Sequence, residues 1–409
     1  MNVKIFPSKA KGEVIAPPSK SIAHRYLICA ALSEGESVVR NLAFSKDIEA
    51  TIACLRALGA EIKLDGNTAL IKGIDPRKPL INTLDLPCNE SGSTLRFMIP
   101  LCLLSGEKHI LKGAPYLMTR PLSVYEEIAR DNGFLFEKTE DSLTVAGIFR
   151  SGTYTVRGDI SSQFISGLLF VLPLLPGDSE IVITLPLESM PYIELTIDAL
   201  YTFGIDAVFG YEPERKAYVC EIKRNQKYQP RDVTVEGDRS NAAFFAALNY
   251  AGSDVRIKGL DPNTSQGDRV FYELFRTVRD KGIADLSDCP DLGPVAFTVA
   301  ALLGKGMFTG TERLRLKESD RIEAMREELA KLGVEMAAAD NAVSIWGKLT
   351  PPREPLSGHN DHRIVMALSV LLTVTGGVIE GAQAVEKSFP DFFDRLRDLG
   401  VDLEYGMDQ

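Results

Sequence analysis

One pattern occurs six times along the 409 residues, and it restricts the fold more than any other feature of the chain. An amphipathic helical stretch ends in Gly and passes at once into alternating apolar residues, at Gly59, Gly133, Gly204, Gly282, Gly333 and Gly400. Gly takes the left-handed position that stops a helix, and the apolar period then changes from 3.6 to 2 as a strand begins. The intervals are 74, 71, 78, 51 and 67 residues. A second pattern interleaves with the first. Polar clusters able to cap a helix each precede an apolar helix: Ser19-Lys-Ser21, Glu90-Ser-Gly-Ser93, Ser161-Ser-Gln163, Asp238-Arg-Ser-Asn241, Asp291-Leu-Gly293 and Asp361-His-Arg363. The helices that follow, such as 164–172 and 364–372, are apolar nearly all round and belong inside a domain. Their orphan N–H groups must then open onto something polar.

Six α/β units, each with one buried and one amphipathic helix, divide into three plus three, which suits a chain of this length. The polar stretch Lys223 to Arg231 lies midway and is the expected crossing between domains. Lys+Arg 46 against Asp+Glu 56 leaves a formal charge of −10, which excludes a basic nucleic-acid footprint. A few cations concentrated in a cleft can still form an anion site. The longest apolar stretch, Phe164 to Leu175, is broken by Pro173 and is short of the ~20 residues that span a bilayer. The start of the chain lacks the apolar core of a signal peptide. The six cysteines (29, 54, 88, 102, 220, 289) are scattered with no Cys-x-x-Cys pair and read as reduced, packed thiols. A cytoplasmic location is expected.

The caps are rich in groups that bind anions. Backbone donors and the positive end of a helix dipole favour phosphate or carboxylate, and Lys20, Arg25, Arg96 and Arg363 add fixed cations. Arg120 precedes Pro121, so its backbone is held extended. Lys317 and Arg321 stand at i and i+4, on one face if the segment is helical; they repel unless an anion lies between them or Glu318 and Asp320 neutralise them. Lys387 sits just before the last amphipathic helix. Gly304-Lys-Gly306 has the wrong spacing and context for a dinucleotide fingerprint, and there is no phosphate-binding P-loop or nucleophile elbow. His359 and His362, without a nearby Cys, read as a helix start rather than a metal site.

Eight motifs, in order from end to end of the chain, resemble the 5-enolpyruvylshikimate-3-phosphate synthases of the enolpyruvyl transferase family. They are Pro17-Pro-Ser-Lys-Ser-Ile-Ala-His-Arg25, Glu90-Ser-Gly-Ser-Thr-Leu-Arg96, Arg120-Pro121, Ser161-Ser-Gln-Phe164, Ser189-Met-Pro-Tyr192, Lys317-Glu-Ser-Asp-Arg321, Asn360-Asp-His-Arg363 and Lys387-Ser-Phe-Pro390. The resemblance implies an α/β fold of two similar domains, each of three βαβαββ repeats, with the active site in the interdomain cleft. It places 18–229 in an N-terminal lobe and 1–17 plus 230–409 in a C-terminal lobe.

The implied reaction transfers the enolpyruvyl group of phosphoenolpyruvate to the 5-hydroxyl of shikimate 3-phosphate and releases phosphate, a step towards chorismate and the aromatic amino acids. The enol carbon is protonated while the hydroxyl attacks its neighbour; the tetrahedral adduct then loses phosphate as the proton leaves. The resemblance implies no cofactor and no metal. Shikimate 3-phosphate would be held by Lys20, Ser21, Arg25, Ser161, Ser162, Gln163, Ser189, Tyr192, Asp291 and Lys317, with the Tyr192 ring on the cyclohexene face. Phosphoenolpyruvate would be held by Lys20, Gly92, Arg120, Gln163, Arg321, Arg363 and Lys387. Asp291 would be the base for the 5-hydroxyl, and Glu318 with Lys20 or Lys387 would move the proton at the methylene carbon. Because position 92 is Gly, inhibition by glyphosate in competition with phosphoenolpyruvate is also implied. The expected partners are these two small molecules, with no nucleic acid, no membrane and a monomeric state.

The chain departs from the family pattern at Glu90, Asn241, Arg313, Pro18 and His24, where Asn, Ser, Asn, Gly and Asn are commoner. Two other readings compete. The sister transferase acting on UDP-N-acetylglucosamine carries a Lys-Asn pair near its start and a loop Cys, and neither stands here: Ser21 follows Lys20, and the segment around Arg120 holds no Cys. A non-catalytic anion-binding homologue would be expected to lose its acid/base residues, yet Lys20, Asp291, Glu318 and Lys387 are present.

Overall fold

A computed structural model of the chain describes residues 1–78 and 83–406. Two compact units divide it: an N-terminal lobe, Pro18–Val235, and a C-terminal lobe made of Met1–Pro17 with Glu236–Gln409. Each lobe has its own apolar core. The sequence places the return crossing at residue 230. It falls after Val235 instead, because Asp232–Thr234 still pairs in parallel with Glu36–Arg40 of the N-terminal lobe.

The helices of the N-terminal lobe are α1 (Lys20–Ala31), α2 (Lys46–Ala57), α3 (Gly92–Cys102), α4 (Pro115–Thr119), α5 (Ser123–Asn132), α6 (Ser162–Val171) and α7 (Met190–Thr202). The C-terminal lobe holds α8 (Arg239–Tyr250), α9 (Phe271–Lys281), α10 (Gly293–Leu303), α11 (Arg321–Lys331), α12 (His362–Thr375) and α13 (Phe392–Asp398). Two kinds of helix alternate, for the reason the sequence suggests. α9 buries Phe271, Leu274, Phe275 and Val278, an i, i+3, i+4, i+7 stripe, and stops at Gly282 with φ 75°. α10 is buried from Gly293 to Ala301 and α12 from His362 to Thr373, as fits their apolar circumference. All six helix-stopping glycines of the repeat have positive φ.

Among the described residues, five sheets hold four strands and one holds two. In the sheet whose strands flank α6, Thr153–Arg157 runs parallel to Ser179–Thr184, which is antiparallel to Ala217–Ile222, itself antiparallel to Ala207–Glu212. The other four-stranded sheets repeat this order of one parallel and two antiparallel pairings. The exception pairs Lys11–Ile15 with Asp254–Lys258 alone. After Gly282 the chain enters Ile283–Asp285, the first strand of the next sheet, with no hairpin between. That missing hairpin is why the interval from Gly282 to Gly333 is 51 residues while the others are 67 to 78. The last sheet is completed from the far end of the chain: Asn2–Ile5 lies between Gly377–Glu380 and Leu403–Gly406. Among the described residues no helix is long and apolar enough to cross a membrane, and all six cysteines are buried as free thiols.

Candidate active site

Side chains cap the buried helices at five of the six expected starts. In the N-terminal lobe the Ser19 hydroxyl accepts from Ile22 N, Ser91 from Thr94 N and Ser161 from Gln163 N. In the C-terminal lobe Asp238 accepts from Asn241 N and Asp361 from Arg363 N. The sixth start differs from expectation. Asp291 lies in a single 3₁₀ turn, Pro290–Leu292, and α10 begins without a side-chain cap. Its carboxylate is thereby left to face cations.

In the N-terminal lobe, Lys20 opens α1, and its Nζ donates to Asp47 Oδ2 at 2.7 Å, on the first turn of α2. Arg25 is buried one turn further on. Its Nε donates to Thr196 Oγ1 (2.9 Å), its Nη1 to Ser21 O (2.7 Å), and its Nη2 to Tyr192 O (3.0 Å) and Ser166 Oγ (3.4 Å). All these acceptors are neutral. Burial without a counter-charge pushes the guanidinium down to about 10. Arg25 thus ties α1 to α6 and α7 while keeping an uncompensated positive charge.

The starts of α3 and α6 are joined through Gln163. Its Nε2 donates to Ser93 Oγ (2.9 Å), and its Oε1 accepts from Arg96 Nη1 (2.7 Å). Arg96 Nη2 also donates to Pro121 O at 3.1 Å, which fixes the turn that carries Arg120. Arg120 is buried and extended (φ −66°, ψ 146°), as a residue before Pro should be. Its guanidinium lies against the first residue of α3: a Cβ added at Gly92 would meet Arg120 Cζ at 2.8 Å. Ser162 is buried on the first turn of α6. Ser189 is buried in the left-handed region (φ 56°) just before α7, and half-buried Tyr192 follows on that helix.

In the C-terminal lobe, Asp291 gathers three cations. Its Oδ1 accepts from Arg321 Nη1 (3.0 Å) and lies 3.3 Å from Lys317 Nζ, and its Oδ2 accepts from Arg363 Nη2 (3.1 Å). Lys317 and Arg321 do not share a helical face: Lys317 is extended and Arg321 opens α11. The anion between them is Asp291, from a turn 26 residues before Lys317 in the chain. Glu318 Oε2 accepts from Arg321 Nη2 (2.7 Å), whereas Asp320 caps α11 and pairs with Arg315. Arg321 has no exposed side-chain surface and also donates from Nε to Asp361 Oδ2 at 2.8 Å. Burial would lower its pKa, but Asp361, Glu318 and Asp291 reverse this and hold it above its usual value. Burial likewise works to raise Asp361, and the Arg321 guanidinium outweighs it, so that carboxyl lies below its usual range. Lys317 is pushed down to about 8, chiefly by burial; the Asp291 charge opposes the shift while Arg313 and Arg321 add to it. Lys387 Nζ donates to Asn360 O at 2.6 Å, beside the cap of α12.

The expected residues therefore form two connected sets, one in each lobe: Lys20, Ser21, Gly92, Arg25, Arg120, Ser161, Ser162, Gln163, Ser189 and Tyr192, and Asp291, Lys317, Glu318, Arg321, Arg363 and Lys387. The sequence reading misses Asp47, Ser166, Thr196 and Asp268. Asp268 is buried, accepts from Ser240 Oγ, and is pushed up to about 7 by burial and by the Asp291 charge. Local pattern carries no sign of these residues, since each meets its partner across more than 25 positions of chain.

Residues 6–396 match the family described as EPSP synthase (3-phosphoshikimate 1-carboxyvinyltransferase). A 3-phosphoshikimate 1-carboxyvinyltransferase of Clostridium kluyveri is 40% identical, over 98% of this chain and 98% of its own. One from Clostridium botulinum is 40% identical, over 97% of each chain. Among solved structures, an EPSP synthase from Acinetobacter baumannii superimposes with TM-score 0.77 at 22% identity, covering 98% of this chain and 99% of that one. The enolpyruvyl transferase NikO from Streptomyces tendae does so with TM-score 0.73 at 15% identity, covering 98% of each. At those identities the two structures speak for the fold alone.

Proposed function

The chain belongs to the EPSP synthase family, and on that premise we propose that it transfers the enolpyruvyl group of phosphoenolpyruvate to the 5-hydroxyl of shikimate 3-phosphate, with release of inorganic phosphate. The observation that carries this reading is the full-length match at 40% identity, together with the Arg120 guanidinium packed on Gly92 at the start of α3. A helix N-terminus with a bare backbone and a fixed guanidinium suits a small dianion. The activity places the protein in the shikimate route to chorismate and aromatic amino acids.

In this reading shikimate 3-phosphate is held by Lys20, Ser21, Arg25, Ser161, Ser162, Gln163, Ser189, Tyr192, Asp291 and Lys317. Phosphoenolpyruvate is held by Lys20, Gly92, Arg120, Gln163, Arg321, Arg363 and Lys387. Arg25 supports the first assignment, since its acceptors are all neutral and an anion would supply the missing charge. Asp291 takes the proton of the 5-hydroxyl as its oxygen bonds to the enol carbon. The adjacent methylene gains a proton and becomes methyl. In the second half the C–O bond to phosphate breaks, a methyl proton leaves, and the double bond re-forms. Glu318 with Lys20 or Lys387 moves that proton. An incoming anion that takes Arg321 Nη2 would compete with Glu318 for the guanidinium it now contacts at 2.7 Å. The protein acts as a monomer in the cytoplasm in this reading.

The test is a phosphate-release assay on the purified chain. Shikimate 3-phosphate and phosphoenolpyruvate together should liberate inorganic phosphate, and neither alone should. Release that requires UDP-N-acetylglucosamine instead would move the chain to the sister reaction.

A further inference from the structure

Helix α11 holds the turn before α12 at two points. Arg321 opens the helix and binds Asp361; Glu328 stands seven residues later, on the same face two turns on. Glu328 is 1% exposed, an unusual place for a carboxylate that no proposed step uses. Its Oε2 accepts from Ser357 N (2.9 Å), and its Oε1 from His359 Nε2 (2.9 Å) and Lys331 Nζ (3.1 Å). Burial alone would raise its pKa, yet the His359, Ser357 and Lys331 donors bring it below the usual value. Glu327, Glu328 and His359 also place three ligating atoms within 4.8 Å of one another, but Lys331 already supplies the positive charge a metal would bring.

What this carboxylate grips is an unfavourable piece of backbone. His359 and Asn360 are consecutive non-glycine residues in the left-handed region, at φ 46° and 51°. Such conformations persist only where the surroundings over-determine them, and they gather at functional sites. Here the bend directs the Asn360 carbonyl to Lys387 Nζ at 2.6 Å and delivers Asp361 both to the cap of α12 and to Arg321.

We propose that Glu328 and His359 are positioning residues for Lys387 and Arg363, holding the 357–361 turn in the bend that places both cations for phosphoenolpyruvate. Neither touches substrate. This rests on the reading of Lys387 and Arg363 given above.

The experiment is steady-state kinetics of His359→Ala and Glu328→Gln with each substrate varied in turn, alongside thermal melts. His359 is partly exposed, so H359A decides the matter if E328Q does not fold. Loss of one supporting hydrogen bond corresponds to a rise of roughly fivefold or more in KM for phosphoenolpyruvate. The KM for shikimate 3-phosphate should stay within about twofold, and His359→Gln, which keeps an N–H donor, should recover most of the loss. A purely structural role would lower Tm and leave both KM values alone. That result, or an equal rise in both KM values, overturns the inference while wild-type turnover leaves the functional reading standing. A wild-type protein that releases no phosphate overturns both.

Discussion

The Arg120 guanidinium occupies the space a side chain at position 92 would need: a Cβ on Gly92 would stand 2.8 Å from Arg120 Cζ and 3.2 Å from Nη2. The obstacle is the far end of a long side chain, so Gly92→Ala should displace Arg120 rather than break the helix. Gly92 is the first residue of α3, so the exchange leaves the helix interior unchanged. We expect Tm to hold while KM for phosphoenolpyruvate rises roughly tenfold or more, the loss of one charge-assisted contact. A variant with unchanged KM would show that the guanidinium can move without cost to binding.

Arg120→Ala separates the two anions. Removing one guanidinium from a phosphate or carboxylate costs about 1.5–3 kcal/mol, or roughly 10–100-fold in KM for phosphoenolpyruvate. The KM for shikimate 3-phosphate should change by no more than about threefold, since its proposed ligands lie on other residues. Equal weakening of both substrates would place Arg120 elsewhere in the reaction.

Lys317 supplies a pH dependence of known sign. Burial holds its ammonium down to about 8, against 10.5 ordinarily, so it loses charge as pH rises through 8. With shikimate 3-phosphate varied, kcat/KM should be level below pH 7 and fall above pH 8, because the free-enzyme group governs that ratio. Lys317→Arg keeps its charge throughout and should flatten the alkaline limb, even if the maximum is lower. An alkaline limb unchanged in K317R would assign it to another group.

Asp268 gives a separate pH dependence, read in stability. Its carboxyl is pushed up to about 7 from 3.8, first by burial and then by Asp291, with Asp238 adding; Arg363 and the Ser240 hydroxyl oppose the rise. A carboxyl raised on folding contributes fully below its unfolded value, and that contribution is lost as pH rises through the folded one. Wild-type Tm should therefore fall between pH 4 and pH 8 relative to Asp268→Asn, which keeps an acceptor for Ser240 Oγ. Parallel melting curves for the two proteins across that range would remove Asp268 as the source.

Much of the fold is local and therefore legible. Ser19, Ser91, Ser161, Asp238 and Asp361 cap helices because a short polar side chain there satisfies an orphan N–H. The glycines mark helix ends because only they enter the left-handed region without strain. Even the short interval between Gly282 and Gly333 records the missing hairpin. The site is less legible where it depends on distant partners. Asp291 has the composition of a helix cap and instead collects Lys317, Arg321 and Arg363. Nothing near Arg25 foretells that Ser166 and Thr196, 141 and 171 positions away, receive its donors. The buried Glu328 reads in sequence as one more polar residue of an amphipathic helix, because its value lies in a turn 29 positions further on.

The strand Asn2–Ile5 finds its neighbours only at Gly377–Glu380 and Leu403–Gly406. On the ribosome the segment 18–235 can complete its own contacts while the opening residues still wait, since domains tend to fold as units in the order they emerge. The C-terminal lobe closes last, once residues 403–406 have been made. A chain that stops short of residue 403 would leave one edge of its first strand bare, and with it a template for adhesion between nascent copies.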